Sequence, residues 1–300
     1  MLSASQNGFE SYMEPVSRLR LFLGWSLEVL LLLLQLIFVF LPIPLPSYRR
    51  GRRGTVIIVT DILTSPLFYF LLARRLKKNG YSVFVHSCYN PLKGFRVHAR
   101  TLSANLEKWN VRHATLLCHG AGGLASLGLP DPGRQRIQYL VTLGAPFHGT
   151  TLLNWLPFVP AFHDLTPGSE YLLINRMNAL LFPSFSPFVP WRDEWIVPSG
   201  LARFGQGRDL ILDWPGRLNL LFSEDVGDTV IEHLNREHPY PVTATHMAQE
   251  SPQPEGAVPR SAPVRPAAVP AAGAVAKKKA PGSKKPAKKS KKKTSKKRGR

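Results

Sequence analysis

Residues Ala114-Thr-Leu-Leu-Cys-His119 form an apolar run that enters Gly120-Ala-Gly-Gly123, a turn of small residues only, before Leu124 resumes the apolar pattern. A short apolar run bounded by turn residues reads as a buried strand, and small side chains let that strand and a following helix approach closely. The flanking segments repeat this rhythm. Thr55-Val-Ile-Ile-Val59 is a β-branched run, as expected of a buried parallel strand, and Pro66 to Lys78 has helical spacing that stops at Asn79-Gly80. Ser82 to His86 reads as the next strand, Arg96 to Trp109 as a helix with Leu102, Leu106 and Trp109 on one face, and Gln138 to Leu143 as a further strand. Strands alternating with helices predict an α/β fold: a mostly parallel sheet with right-handed crossovers and helices on its faces.

Charge divides the chain. The net charge is +20, but residues 277–300 hold twelve lysines and two arginines with no acid, which leaves +6 for residues 1–276. The basic character therefore belongs to a tail. Residues 250–300 are Pro, Ala, Gly and Ser followed by lysine clusters, a composition that cannot bury enough apolar surface to offset its conformational entropy. The clusters are Lys277, Lys278, Lys279, Lys284, Lys285, Lys288, Lys289, Lys291, Lys292, Lys293, Lys296 and Lys297. They resemble the Lys-Ala-Pro tails of linker-histone-like proteins, and such a chain binds polyanions by counterion release without base specificity. Nucleic acid and anionic lipid headgroups are both expected partners; the bland alternative is a solubilising tail. The two cysteines, Cys88 and Cys118, end apolar runs and lack metal-site spacing, so no metal or cofactor is expected.

Leu21 to Leu45 is hydrophobic apart from Ser26, Glu28 and Gln35. Roughly 20 apolar residues span a bilayer, so the stretch suits a membrane anchor, either transmembrane or monotopic; a buried core helix is the competing reading. Arg18 and Arg20 precede it, while Arg49, Arg50, Arg52 and Arg53 follow, which favours a cytoplasmic position for the domain beyond. The expected organisation is a flexible 1–20, an anchor helix at 21–45, an α/β domain at 54–249 and a disordered tail at 250–300.

The turn after Ala114–His119 resembles the nucleophile elbow of lipases and other α/β-hydrolases, where a strand ends in Gly-x-Ser-x-Gly and a helix begins. Thr142-Leu-Gly-Ala-Pro-Phe-His-Gly-Thr150 and Asp164-Leu-Thr-Pro-Gly-Ser169 are similar to two further segments of the same enzymes. The resemblance covers roughly Thr55 to His246. It implies a Ser, Asp or Glu, His triad in chain order and an oxyanion hole, with residues 151–205, rich in aromatics and proline, as a cap or lid. Gly120 stands at the nucleophile position, and glycine has no side chain with which to attack. Thr60-Asp61 stands where family members carry His-Gly, so Asp61 and Ala121 mark the oxyanion site, and an ionised carboxylate there opposes an oxyanion.

For the remaining triad members the resemblance points to an acid after a late strand and a histidine beyond the last one. Leu218 to Phe222 is read as that late strand, which makes Asp228 the acid, with Asp225 as its rival. Val242 to Thr245 is read as the last strand, which makes His246 the histidine, against His233 and His238. Cys118, His119, Ser126 and His148 are poor substitutes by position. Three readings follow. The first is a membrane-anchored, catalytically degenerate hydrolase-fold protein that holds a lipid or ester-like ligand. The second is an active carboxylic ester hydrolase with an unrecognised nucleophile. The third is a membrane-to-nucleic-acid tether.

Overall fold

The computed structural model describes residues 18–38, 47–49 and 51–237. Helix α1 (Arg18–Phe38) leads into strand β1 (Gly54–Val59), a short 3-10 turn and helix α2 (Phe70–Lys78). Strand β2 (Tyr81–His86), helix α3 (Phe95–Lys108), strand β3 (Ala114–His119), helix α4 (Gly122–Leu127) and strand β4 (Ile137–Leu143) follow. After an irregular region come strand β5 (Ser184–Arg192), strand β6 (Leu210–Pro215) and, closing the described chain, helix α5 (Glu224–Glu237).

All six strands pair in parallel, in the order β2-β1-β3-β4-β5-β6. The chain first steps from β1 to β2, then crosses back to β3, so the order reverses between β1 and β3. In open α/β sheets such a reversal opens a crevice beyond the carboxyl ends of the strands. Pairings of Val59 with Cys118, His119 with Leu143 and Leu143 with Phe188 align those ends. Residues 60–62, 120–121, 144 and 193 therefore share one rim.

Strand periodicity of two sends alternate residues into two cores. Ile57, Val59, Leu116 and Leu140 pack with Leu102, Leu106 and Leu124 on one face. Val56, Ile58, Leu117 and Val141 pack with Leu72, Leu76, Val230 and Leu234 on the other. Each such side chain contributes about 1.5–3 kcal/mol on burial.

The structure corrects several expectations. Residues 184–192, placed in the cap by sequence, are a sheet strand. Leu218 to Phe222 is not a strand: Asn219–Phe222 is a helical turn. The described part of the hydrophobic stretch, up to Phe38, lies in a helix docked on the domain, and no helix among the described residues is long and apolar enough to cross a membrane. The reason lies in its polar residues. Gly24, Glu28, Leu31 and Gln35 form the buried stripe of α1, spaced at i, i+4, i+7 and i+11. Glu28 accepts hydrogen bonds from the backbone N–H groups of Arg217, Leu218 and Asn219 at 3.2, 2.8 and 3.0 Å, and Gln35 donates to the carbonyl of Leu63. The opposite face exposes Phe22, Leu23, Leu30, Leu33 and Ile37. Helix α1 thus turns Glu28 and Gln35 toward the protein together with Leu31, while most of its described apolar side chains face outward.

Candidate functional site

Gly120 sits at the tip of the turn between β3 and α4 with φ +53°, a left-handed backbone that costs side-chain-bearing residues about 1–2 kcal/mol. A Cβ at Gly120 would lie 2.7 Å from Cγ and Oδ2 of Asp61. The space a nucleophile would occupy is thus filled by a carboxylate. At Gly122 a Cβ would meet the carbonyl oxygen of Thr60 at 2.5 Å, which is why the helix can start so close to β1 only on glycine.

Asp61, 1% exposed, follows β1 across the crevice. Its Oδ1 accepts from the N–H of Ile62 at 2.8 Å and the N–H of Ala121 at 2.9 Å. An N–H just after the elbow residue together with an N–H from the loop after the neighbouring strand is the donor pair of an oxyanion hole. Here the chain's own carboxylate takes both donors. Oδ2 faces Nη1 of buried Arg217 at 3.3 Å. Around it runs an ordered relay: the Asp61 N–H donates to the Tyr69 hydroxyl (2.8 Å), which donates to Nδ1 of His119 (2.8 Å), whose Nε2 donates to the Arg217 carbonyl (3.1 Å). The tautomer of His119 is assigned from this network. Burial pushes its pKa down to about 4, so the ring is neutral.

Two groups that sequence reasoning missed complete the cluster. Asp193 is the first residue after β5, and Arg217 is the second after β6. Asp193 Oδ1 accepts from the N–H of Trp195 at 2.8 Å, while Oδ2 lies 3.9 Å from Arg217 Nε. Burial raises the Asp193 carboxyl, and the guanidinium opposes that shift. In chain order the turn at Gly120 is followed by an acid after β5 and a guanidinium after β6, the last strand among the described residues. The guanidinium has no acceptor and stays charged, so it cannot take a proton from a nucleophile.

Helix α1 closes the site. Leu32 and Gln35 of α1, with Asp61, Leu63, Trp195 and Arg217, enclose only about 10 Å³, room for about one water. The ester-like ligand expected over the turn has no space there. Burial raises the Glu28 carboxyl, and the three N–H groups it receives oppose the shift.

The other candidates lie elsewhere. Asp228 and Asp225 are exposed on α5, within a helix and not on a loop after a strand. His233 of α5 pairs through Nε2 with Ser186 Oγ at 2.9 Å. His246, His238, the strand expected at 242–245 and the lysine clusters lie outside the described residues. His148 receives a hydrogen bond from Arg176 at 2.8 Å in the irregular region. Ser126 donates to the Gly122 carbonyl, so the Cys118 thiol must donate to Ser126 Oγ at 3.0 Å. Burial pushes that thiol up to about 12, which leaves it inert. Among the described residues no group of three His, Cys, Asp or Glu side chains is placed to hold a metal ion.

No family model matches the chain, and no curated protein matches it. Solved structures similar in fold include one from a study of LipS and LipT, metagenome-derived lipolytic enzymes: 15% identity, 66% of this chain and 99% of that one, TM-score 0.49. The monoacylglycerol lipase of Paleococcus ferrophilus aligns at 14% identity over 63% of this chain and 96% of its own, TM-score 0.49. An extracellular alpha/beta-hydrolase from a Paenibacillus species aligns at 13% identity over 62% and 99%, TM-score 0.44. The chain forms a parallel sheet flanked by helices, with a strand–turn–helix at Gly120.

Proposed function

We propose that this chain is a lipase- and esterase-like α/β-hydrolase-fold protein that no longer hydrolyses esters and works at a membrane surface as a binding protein. The observation that carries the reading is the Asp61 carboxylate seated on the Ile62 and Ala121 N–H groups. Three requirements of acyl transfer are replaced at once. Gly120 offers no nucleophile, Arg217 offers no base, and the donors that would stabilise an oxyanion are already occupied. A retained acid, Asp193, holds the arginine in place. Turnover of p-nitrophenyl acetate and butyrate by the purified full-length chain tests this. The expected rate equals that of buffer with an inert protein, and saturable turnover abolished by Asp193→Ala would overturn the proposal.

Membrane attachment is read as monotopic. The outward face of α1 presents an apolar stripe about 30 Å long, set by the 1.5 Å rise over 21 residues. Exposed apolar patches of this extent suit an interface, and a helix lying in the plane of the headgroups needs no spanning length. Trp155 and Phe158, in the irregular region, expose a further 72% and 76% of their surfaces. The lysine clusters of 277–300 add attraction to anionic lipid or nucleic acid of about 1 kcal/mol per cation near a lipid surface. Flotation with anionic vesicles separates the two contributions. Leu30→Glu with Leu33→Glu should abolish flotation at high salt, and deletion of 277–300 should remove its salt-sensitive part. Flotation unchanged by both would refute the attachment.

A further inference from the structure

A cavity of about 490 Å³ lies between α1 and the loop after β5, beside the closed site and sharing Asp193 with it. Its size falls within the range of small-molecule sites, roughly 300–1,000 Å³. Phe22 and Trp25 of α1 form one wall, Ile196 and Val197 the other, and Asp193 and Glu194 line the polar end. We propose that this cavity binds an amphiphilic organic cation: an ammonium group carrying an aryl or short alkyl arm.

Charge complementarity selects that ligand. Four carboxyl groups, Glu28, Asp61, Asp193 and Glu194, act on one another across this region. One buried guanidinium, Arg217, is shared between Asp61 and Asp193. Glu28 spends its oxygens on three backbone N–H groups. Arg192, at the cavity rim, is exposed and solvated. That leaves Glu194 Oε2 buried without a hydrogen-bond partner, and Asp193 Oδ2 without a hydrogen bond although its side chain is 1% exposed. An anion meets two carboxyl groups at this end of the cavity, and among the lining side chains only Arg192 carries the opposite charge. An ammonium ion meets the carboxyl groups of Asp193 and Glu194 together with the aromatic side chains of Phe22 and Trp25, both of which can attract it.

Burial raises the Glu194 carboxyl to about 7; Glu28 and Asp193 add to that shift, and Arg192 opposes it. A cation seated beside Glu194 favours its ionised form, so binding near pH 7 should release a proton. The cavity shares Asp193 with the closed site, but binding of a cation in it does not depend on whether the Gly120 turn is inactive.

Isothermal titration of the full-length protein with benzylammonium, whose N–H groups can donate to the unpartnered carboxylate oxygens, and with benzyl alcohol as the neutral counterpart, tests the proposal. The cation should bind saturably at one site and at least about tenfold more tightly than the alcohol. Glu194→Gln should weaken the cation about tenfold and abolish the buffer-dependent heat that reports proton release. Trp25→Ala, at a ring 59% exposed and therefore safe for folding, should weaken it too. Equal binding of alcohol and cation, no saturable binding, or affinity unchanged in both variants would overturn it.

Discussion

Removing the Asp61 carboxylate should show that it and Arg217 act as one unit. Asp61→Ala deletes the acceptor of two buried N–H groups and leaves the Arg217 guanidinium with Asp193 alone, at 3.9 Å. Breaking one side of a buried ion pair costs about 3–5 kcal/mol, because the other charge stays desolvated. Arg217→Met should cost about 3 kcal/mol, the lower end, since Asp61 keeps its two N–H donors. In the double variant the stranded charge is gone, so about 4–5 kcal/mol is expected in place of the 6–8 of simple addition. The coupling is then about 2–3 kcal/mol. Asp193 loses its guanidinium in the Arg217→Met and double variants alike, so that penalty cancels from the cycle. Urea unfolding followed by tryptophan fluorescence, extrapolated linearly to water, gives the four free energies. Additivity within about 0.5 kcal/mol would refute the unit, because independent sites behave that way.

His119 supplies a pH signature. Its folded pKa of about 4 lies below the unfolded value of about 6.5, so the unfolded state binds the extra proton between those limits. The stability contributed by the neutral ring is present above pH 6.5 and lost as pH falls toward 4. The unfolding free-energy difference between the protein and His119→Gln should therefore shift by about 3 kcal/mol across that window, to the detriment of the unmodified protein in acid. A difference that stays level from pH 7 to 4 would show that the ring is not held neutral. Glu28→Ala should free the backbone N–H groups of residues 217–219 and speed their hydrogen exchange roughly hundredfold, equivalent to about 2–3 kcal/mol. Exchange unchanged at those amides would mean that α1 does not anchor the Arg217 loop.

The parts of the fold that sequence made legible are those whose cues are local. Val56 to Val59, Val83 to Val85 and Leu116 to Cys118 are continuous apolar runs, and all became strands, β1 and β3 inside the sheet and β2 at its edge. Strand β5 escaped because Pro187 and Pro190 argue against a strand in the middle of a sheet. The ladder accommodates them, Pro187 opposite Thr142 and Pro190 opposite Leu212, with the register shifting before Arg192. Missing β5 and β6 moved the search for the acid downstream to Asp228 and hid Asp193 and Arg217. Leu218 to Phe222 looked like a strand because its composition is apolar. Its helical turn is set by Glu28, some 190 residues away, and no local pattern carries that information. Asp61 stands out in the sequence as a carboxylate beside the turn, yet only the structure shows that it accepts from the Ile62 and Ala121 N–H groups. The stripe Gly24, Glu28, Leu31, Gln35 was present as spacing in α1, though hydropathy alone drew attention to the leucines on the other side.

The most direct test of the closed site is labelling of the full-length protein with a fluorophosphonate, read by intact mass and peptide mapping. Such a probe reacts with a serine only when a base and an oxyanion hole activate it. With Gly120 at the elbow, Arg217 in place of a base and Asp61 on the Ile62 and Ala121 N–H groups, the account predicts no added mass at any serine. Stoichiometric labelling of one serine, lost in Asp193→Ala, would contradict it.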